Sequence, residues 1–335
     1  MEHLRILNQK ELKSLLNLRK GETKFGEHIE LMPNLTNIYE GIKDLDVNYV
    51  IFGIEEDIGV KANKGISGTY KCWNIVKKIL LNVQSNQFTH AKKVLILGSL
   101  KYKLPEMFPK NNKEDLKFLR SQVEQIDKDV SYLVSEIIRA GKFPVAIGGG
   151  HNNSYGMIKG SALAFNEPVS SINIDAHSDF RPEEGRHSGN GFSYAYAEGF
   201  LKNYFILGLH ENYTSKSILT TIKKLKAIDY VSYEALEIRN EIKLKEGLQK
   251  ALDHIKNSKF GLEIDCDAIR NIPSSAATPS GFTVKQVRRM LDFFGTNDKL
   301  TYLHICEAIP SKKTQVKVGK LISYLITDFI KAHES

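Results

Sequence analysis

Three short runs of acidic residues and histidines are spaced as metal ligands would be. DAHSD at 175–179 alternates three such side chains with small residues, and in a β-strand positions i, i+2 and i+4 project on one face. At the end of a strand, all three can reach one ion cluster. GGGH at 148–151 lies upstream, and DCD at 265–267 lies downstream. The candidate ligands are His151, Asp175, His177, Asp179, Asp265 and Asp267.

Carboxylates mixed with imidazoles suit Mn²⁺, with Zn²⁺, Co²⁺ or Fe²⁺ as alternatives. Four aspartates in one cleft would resist joint ionisation unless cations neutralised them, so we expect two divalent ions. The three cysteines form no CxxC pair, which argues against zinc held by thiolates. The alternative interpretation, ordinary loop acids and a hydrogen-bonded histidine, fits each run alone better than it fits the three together.

Short apolar runs alternate with helical patterns and would position these residues. The predicted strands are 48–54, 93–98, 144–148, 171–174, 204–207, 261–264 and 300–306, and the predicted helices are 113–140, 218–225, 241–255, 284–294 and 318–332. The first three strands are predicted to end at Gly53, Gly98 and Gly148, as strands that lead into functional turns often do.

This alternation favours a mostly parallel sheet covered by helices on both faces, in an α/β fold. In such sheets ligands bind at the carboxyl ends of the strands. His151, Asp175, Asp265 and Glu307 all fall at or just past predicted strand ends. The motifs are therefore predicted to meet at one edge of the sheet.

Composition sets the outer limits. The chain has 335 residues, of which 41% are hydrophobic and 26% charged, as in an ordinary globular protein. We predict one domain over residues 1–335, with roughly the first 45 peripheral. No basic leader followed by an apolar run and no long apolar segment are evident, and the odd number of cysteines suggests reduced thiols, so we expect a cytoplasmic protein without a membrane partner.

The net charge of +8 could indicate a nucleic-acid partner. However, the lysines are interspersed with acids, as in IKLKE at 242–246, which is typical of solvated helix faces. No RNA-reading or zinc-finger motif accompanies them. We therefore expect a small-molecule substrate and no nucleic acid.

From about residue 50 onward the chain resembles the ureohydrolase superfamily of arginases, agmatinases and formimidoylglutamases. GGH at 149–151, DAHSD at 175–179 and DCD at 265–267 are similar to that family's three metal motifs, in the same order. The resemblance implies a three-layer α/β/α sandwich, a homo-oligomer and two Mn²⁺ per chain. It assigns one ion to His151, Asp175, Asp179 and Asp265, and the other to Asp175, His177, Asp265 and Asp267, with Asp175 and Asp265 bridging.

A water held between two such ions can attack a trigonal amidine or guanidino carbon near neutral pH. Asp179 would accept a proton from that water or pass it to the leaving amine. Glu307 resembles the family glutamate that receives the cationic group of the substrate. His187 is a candidate proton shuttle, although an exposed loop histidine is the preferred interpretation.

Among ureohydrolases, the stretch GIEEDIGVKANKG at 53–65 is similar to one common in formimidoylglutamases, and Gly150 and Arg181 favour the same group. N-formimidoyl-L-glutamate carries two carboxylates, for which Lys61 and Arg181, or Arg186, would supply charged partners. An equally weighted alternative makes these cations solvated loop residues.

The loop SGNGFS at 188–193 departs from that pattern, because an arginine that usually follows is replaced by Ser193. Ser188 and Asn190 instead resemble the arginase loop that holds the amino-acid end, so they are further substrate-binding candidates. Hydrolysis of arginine or agmatine therefore stays open.

Rival classes fit less well. A dinuclear metallophosphatase also uses D-x-H and a glycine–histidine turn, but the second aspartate of 175–179 and the aspartate pair at 265–267 fit a ureohydrolase better. Deacetylases with a related fold use one zinc and other histidine motifs. The chain could also be a metal-binding homologue that has lost turnover, an alternative indicated by the altered 188–193 loop.

Overall fold

The computed structural model describes residues 1–33, 37–103 and 113–335. Its strands are β1 (Leu4–Ile6), β2 (Tyr49–Glu55), β3 (Val94–Lys101), β4 (Phe143–Ile147), β5 (Val169–Ile174), β6 (Leu201–Leu209), β7 (Ile228–Ser232), β8 (Phe260–Asp265) and β9 (Leu300–Cys306). Within the described residues they form one nine-stranded sheet in the order β1-β3-β2-β4-β9-β8-β5-β6-β7. β1 is antiparallel to β3, and the other pairs are parallel.

Helices cover both faces of this sheet. They are α1 (Gln9–Leu15), α2 (Ile38–Lys43), α3 (Ile58–Ala62), α4 (Cys72–Leu80), α5 (Lys113–Arg139), α6 (Asn153–Phe165), α7 (Gly191–Ala197), α8 (Lys216–Lys224), α9 (Leu244–Ile255), α10 (Val284–Gly295) and α11 (Gln315–His333), with a π-helical turn at Glu234–Ile238. Apolar side chains of α4, α9, α10 and α11 pack on one face, and those of α5 to α8 pack on the other. The predicted three-layer α/β/α sandwich with a mostly parallel sheet is confirmed.

The centre of the sheet positions the candidate ligands. β4, β9, β8 and β5 are neighbours, and every residue of these four strands is buried. Their runs of branched apolar residues suit strands covered on both faces. Because all four are parallel, their carboxyl ends meet at one edge. β8 and β9, which come last in the chain, lie between β4 and β5.

Two of the glycines predicted to end strands lie inside them. Gly53 is within β2, where a Cβ would come within 2.0 Å of the Trp73 ring. Gly98 is within β3 at φ +129°, and a Cβ there would meet the Arg5 carbonyl at 2.0 Å. These glycines permit close approach of a ring and of the edge strand, rather than a turn. Gly148 does directly follow its strand.

Sequence patterns did not reveal α6. Most of its side chains are buried, so it lacks the polar face that marks an amphipathic helix. Gly156 and Gly160 also weaken its helical signal. A Cβ at either would lie 2.7 Å or less from atoms of α5, so both glycines allow close packing of the two helices.

The N-terminal segment is only partly peripheral. β1 lies at the sheet edge, but Leu12 and Phe25 are buried in the core that underlies α4. The proposed domain boundaries, which also include residues outside the described ranges, stay a prediction. Among the described helices, none is both long and apolar enough to cross a membrane.

Candidate metal centre

The candidate ligands lie where the four central strands end. His151 follows a turn in which Gly148 and Gly149 have positive φ of 89° and 72°, just after β4. Asp175 directly follows β5, and Asp265 is the last residue of β8. Glu307 directly follows β9. Four distant segments of sequence therefore meet within one crevice.

His151 is the centre of what we call the inner group: His151, Asp175, Asp179 and Asp265. Its Nδ1 lies 2.9 Å from Asp179 Oδ2, 3.1 Å from Asp265 Oδ2 and 3.2 Å from Asp175 Oδ2. One ligand atom from each of the four residues lies within 4.8 Å of the others, so a single ion can be held by all four. The histidine ring has no exposed surface.

The outer group comprises Asp175, His177 and Asp267, whose ligand atoms also lie within 4.8 Å of one another. His177 Nδ1 is 2.9 Å from Asp267 Oδ2 and 3.6 Å from Asp175 Oδ1. Asp175 belongs to both groups, as expected for a bridging carboxylate. Asp265 falls within this distance only of the inner group, so its bridging role stays a prediction.

The cluster carries more negative charge than its histidines balance. Burial and the charges of Asp267 and Asp175 raise the pKa of Asp265 well above its usual range. Burial and Asp175 also raise the pKa of Asp267 to about 6. Burial alone would lower the pKa of His177, but Asp267 and Asp175 raise it to about 12. Cations between these carboxylates would remove the repulsion.

Unpaired polar atoms support the same interpretation. Both ring nitrogens of His151 and Oδ1 of Asp267 are buried without a hydrogen-bond partner among the described residues. Buried polar atoms are normally satisfied, and an ion is one way of satisfying them. With carboxylate and imidazole donors and no thiolate in either group, the site fits Mn²⁺.

Hydrogen bonds hold the ligands in orientation. The Asp175 carboxylate accepts from the backbone N–H of His177 at 2.7 Å and from Asn173 Nδ2 at 2.8 Å. Tyr204 accepts from the same Asn173 amide and donates to the Ser178 carbonyl. The Asp265 carboxylate accepts from the Asp267 N–H at 2.8 Å. These hydrogen bonds fix the orientation of the two carboxylates within the fold.

Two functional candidates have left-handed backbone conformations. Asp179 has φ of 44° and Glu307 has φ of 63°. Such conformations in non-glycine residues cost of the order of 1–3 kcal/mol and concentrate at functional sites. The Glu307 side chain is buried and accepts the His151 backbone N–H at 2.8 Å. Burial raises its pKa to about 8.

A cavity of about 520 Å³ opens over the cluster. His177, Asp179, Asp265, Asp267 and Glu307 line its floor. Its rim includes Asn63, Arg181, Ser188, Tyr213, Ser215 and Ser217. Arg181 is exposed, and its guanidinium donates to Asn63 Oδ1 at 3.0 Å. Of the predicted substrate-binding residues, Arg181 and Ser188 thus face the cavity.

The other predicted substrate-binding residues lie elsewhere. Lys61 donates to Asp57 Oδ1 at 2.8 Å and lines a separate cavity. Asn190 is buried, and its Oδ1 accepts from Arg186 Nη1 at 2.6 Å. Arg186 is itself paired with Asp127 at 2.8 Å, so it braces the loop. Direct contact of Lys61, Asn190 or Arg186 with a substrate is not supported by these positions.

His187 lies in the interior, beside the candidate site. It is wholly buried, so the expectation of an exposed loop histidine is wrong. Nδ1 accepts the Gly189 N–H at 3.1 Å, and Nε2 lies 3.3 Å from Glu184 Oε1. The ring is absent from the lining of the cavity described above. These contacts make His187 a brace for the loop beside the site and weaken its case as a proton shuttle.

Sequence reasoning missed two buried acids behind the ligands. Glu56 Oε1 accepts the Gly150 N–H at 2.7 Å, and its Oε2 accepts the Ile58 N–H at 2.7 Å, so Glu56 joins α3 to the histidine turn. Glu263 is buried beneath His151 and beside His304. The i, i+2 spacing of Glu263 and Asp265 along β8 places both on one face and was the available signal.

Comparison with known proteins identifies relatives of this chain. A model of the arginase family matches residues 50–330. A formimidoylglutamase of Streptococcus pyogenes is 25% identical over 197 residues, which are 56% of this chain and 60% of that protein. The chain thus aligns with less than two thirds of the length of this curated relative.

Solved structures share the fold at lower identity. The formimidoylglutamase of Bacillus subtilis superposes with a TM-score of 0.75 at 15% identity, over 95% of this chain and 94% of that one. A Trypanosoma cruzi formiminoglutamase determined with Mn²⁺ gives a TM-score of 0.72 at 18% identity, over 93% and 98% of the two chains.

Proposed function

Because the chain belongs to the arginase family, we propose that it is a manganese-dependent hydrolase of linear amidines, most specifically a formimidoylglutamase. Its reaction would convert N-formimidoyl-L-glutamate and water into glutamate and formamide, a step of histidine degradation in the cytoplasm. The observation that carries this proposal is the pair of overlapping ligand groups on the floor of a cavity whose rim holds Arg181. The relatives named formimidoylglutamase support it.

Two Mn²⁺ per chain would be held by the inner and outer groups. His151, Asp175, Asp179 and Asp265 would bind one, and Asp175, His177 and Asp267 the other, with Asp265 proposed as a second bridge. The unpaired nitrogens of His151 and the excess of buried carboxylates support this assignment. When bound, the ions supply a water of strongly lowered pKa as nucleophile.

Protein groups on the cavity floor would then handle charge and protons. Glu307 faces the cavity and would receive the amidinium group of the substrate, which orients its carbon over the cluster. Asp179, at the border between the cluster and the cavity, would take the proton from the attacking water and deliver it to the leaving amine. Formamide and glutamate leave through the open side of the cavity.

Residues on the rim of the cavity would bind the glutamate end of the substrate. Arg181 is the arginine among the described residues that line this cavity, and its forked N–H groups suit a carboxylate. Ser188, Ser215 and Ser217 add hydroxyl donors for the second carboxylate. Agmatine has no carboxylate and arginine has one, so this rim favours the dicarboxylate.

The substrate is tested by assays of N-formimidoyl-L-glutamate, arginine and agmatine with the same Mn²⁺-loaded protein. We expect kcat/KM to be highest for N-formimidoyl-L-glutamate, by about tenfold per charged contact. Preference for arginine or agmatine would contradict the substrate but retain the ureohydrolase chemistry. No turnover of any of the three, with two ions bound, would favour a silent metal-binding homologue.

Arg181→Ala and Lys61→Ala form a matched pair for the rim. Removing the guanidinium should raise KM for N-formimidoyl-L-glutamate about tenfold or more, because a charge-assisted contact is worth roughly 1.5–3 kcal/mol. Lys61→Ala should change KM less than about twofold, because that ammonium lies in another cavity and is paired with Asp57. Equal effects of the two substitutions would exclude a specific contact at Arg181.

A further inference from the structure

Glu263 lies in the core behind the candidate metal centre. It is fully buried at the third position from the end of β8, on the same face as Asp265. Register pairs it with Asn173 of β5 on one side and with His304 of β9 on the other. A glutamate at such a depth needs partners, because an isolated buried carboxylate is strongly disfavoured.

Its neighbours are two histidine rings and a phenol. Glu263 Oε2 lies 2.6 Å from His304 Nδ1 and 3.6 Å from His151 Nε2. The Tyr302 hydroxyl lies beside the same carboxylate. No lysine or arginine is paired with it among the described residues. His304 is held in turn, because its Nε2 is 3.4 Å from the Gly148 carbonyl.

Glu263 and His151 face each other, and each has a buried polar atom that lacks a hydrogen bond. His151 Nε2 and Glu263 Oε1 are both buried and have no hydrogen-bond partner in the part of the chain that the structure describes. At 3.6 Å the nearest approach is longer than a hydrogen bond. A small rotation of the carboxylate would shorten it and satisfy the nitrogen. The opposite ring nitrogen, Nδ1, is the one that faces Asp175, Asp179 and Asp265.

We propose that Glu263 is a positioning residue for metal binding: it accepts the Nε2–H of His151, so that Nδ1 is left unprotonated and directed at the inner ion, and His304 fixes Glu263 in that orientation. A carboxylate behind a ligating histidine sets its tautomer and its basicity. The inference rests on the proposed metal site but is independent of the substrate.

The sharpest test is Glu263→Gln beside Asp127→Asn as a matched control. Both changes neutralise a buried carboxylate that contacts a basic side chain, but Asp127 pairs with Arg186 and, within the described contacts, with none of the candidate metal ligands. Manganese binding is measured by titration calorimetry and by the electron paramagnetic resonance of free Mn²⁺. Circular dichroism and thermal unfolding show whether each variant is folded.

We expect Glu263→Gln to weaken binding of one of the two ions by about tenfold or more, as other supports of ligating histidines do, and to leave the second ion less affected. Saturating Mn²⁺ should restore most of kcat, with KM for substrate unchanged. Asp127→Asn should shift either metal affinity less than about twofold. Wild-type metal affinity in folded Glu263→Gln would overturn the proposal, as would equal weakening by both variants.

His304→Gln provides a second route if Glu263→Gln fails to fold. It keeps Glu263 but removes the ring that holds it, so a smaller loss of affinity for the same ion is expected. Unchanged affinity in this variant overturns the role assigned to His304. A wild-type protein that binds two Mn²⁺ but does not hydrolyse N-formimidoyl-L-glutamate defeats the proposed function, and the affinity comparison still decides the role of Glu263.

Discussion

The inner and outer groups share Asp175 but differ in their surroundings. The inner histidine, His151, has no exposed surface and is backed by core residues. The outer histidine, His177, has 29% of its side chain exposed and stacks on Tyr213 with 5.3 Å between ring centroids. The inner group offers four ligands within bonding reach of one ion, whereas the outer offers three. We infer that His151 supports its ion from the core, whereas His177 borders the space where the substrate binds.

The largest effect should come from the carboxylate that both groups share. Asp175→Asn should lower kcat/KM about a thousandfold or more, or about 4 kcal/mol in transition-state stabilisation, because neither ion keeps its full set of ligands. Metal analysis should show less than one ion per chain. Asp265→Asn should match it if Asp265 also bridges. Loss of one ion only in Asp265→Asn would restrict this residue to the inner group.

A smaller effect on kcat/KM is expected from a substitution that removes a ligand of the outer group alone. His177→Asn should retain the inner ion and lose about a hundredfold in kcat/KM, or about 2.7 kcal/mol. In wild-type protein titrated with limiting Mn²⁺, the first equivalent should bind at least about tenfold tighter than the second. Electron paramagnetic resonance distinguishes one bound ion from a coupled pair. Tighter binding of the first Mn²⁺ to the outer group than to the inner group would contradict this expectation.

The smallest effect should come from His187, which lies outside both groups. Burial lowers its pKa to about 4, so the unfolded chain binds more protons than the folded protein between about pH 4 and 6.5. This histidine therefore makes stability fall as pH falls through that range, by up to about 3 kcal/mol. His187→Asn keeps an acceptor for the Gly189 N–H and should flatten that dependence.

Urea unfolding of wild type and His187→Asn at several pH values measures this difference. Activity at pH 7.5 should fall less than about tenfold, because the ring does not line the cavity. A loss as severe as that of Asp265→Asn, with metal content unchanged, would return His187 to the catalytic machinery.

The candidate metal ligands could be proposed from the sequence because they fall in three short motifs, each of them local in sequence. The alternation in DAHSD and DCD follows from strand geometry, and the carboxyl-end rule predicts where the runs meet. The strand order could not be predicted in this way, because the pairing of β4 with β9 joins residues more than 150 positions apart. The contact between Glu263 and His304 depends on the pairing of β8 with β9, and a sequence motif does not contain that information.

Charge patterns were the least reliable guide. Lys61 and Arg181 are both cations near the motifs, yet of the two only Arg181 lines the cavity over the cluster. Arg186 is paired with buried Asp127, which lies 59 residues earlier in the chain. A cation's partner depends on which helices pack together, and a motif does not contain that information. The burial of His187 could not be predicted either, because it depends on which parts of the chain cover its loop.

The insertion of β8 and β9 between β4 and β5 has a consequence for synthesis of the protein. His151 and Asp175 belong to segments made early, but β4 and β5 are not neighbours, and the strands between them end at Asp265 and Cys306. Contacts between such distant segments form slowly, because a long loop must first close. The ribosome will therefore have made most of the chain before a complete cluster exists. Manganese would be acquired as a late event of maturation, and a chain halted before β9 would lack the framework to retain it.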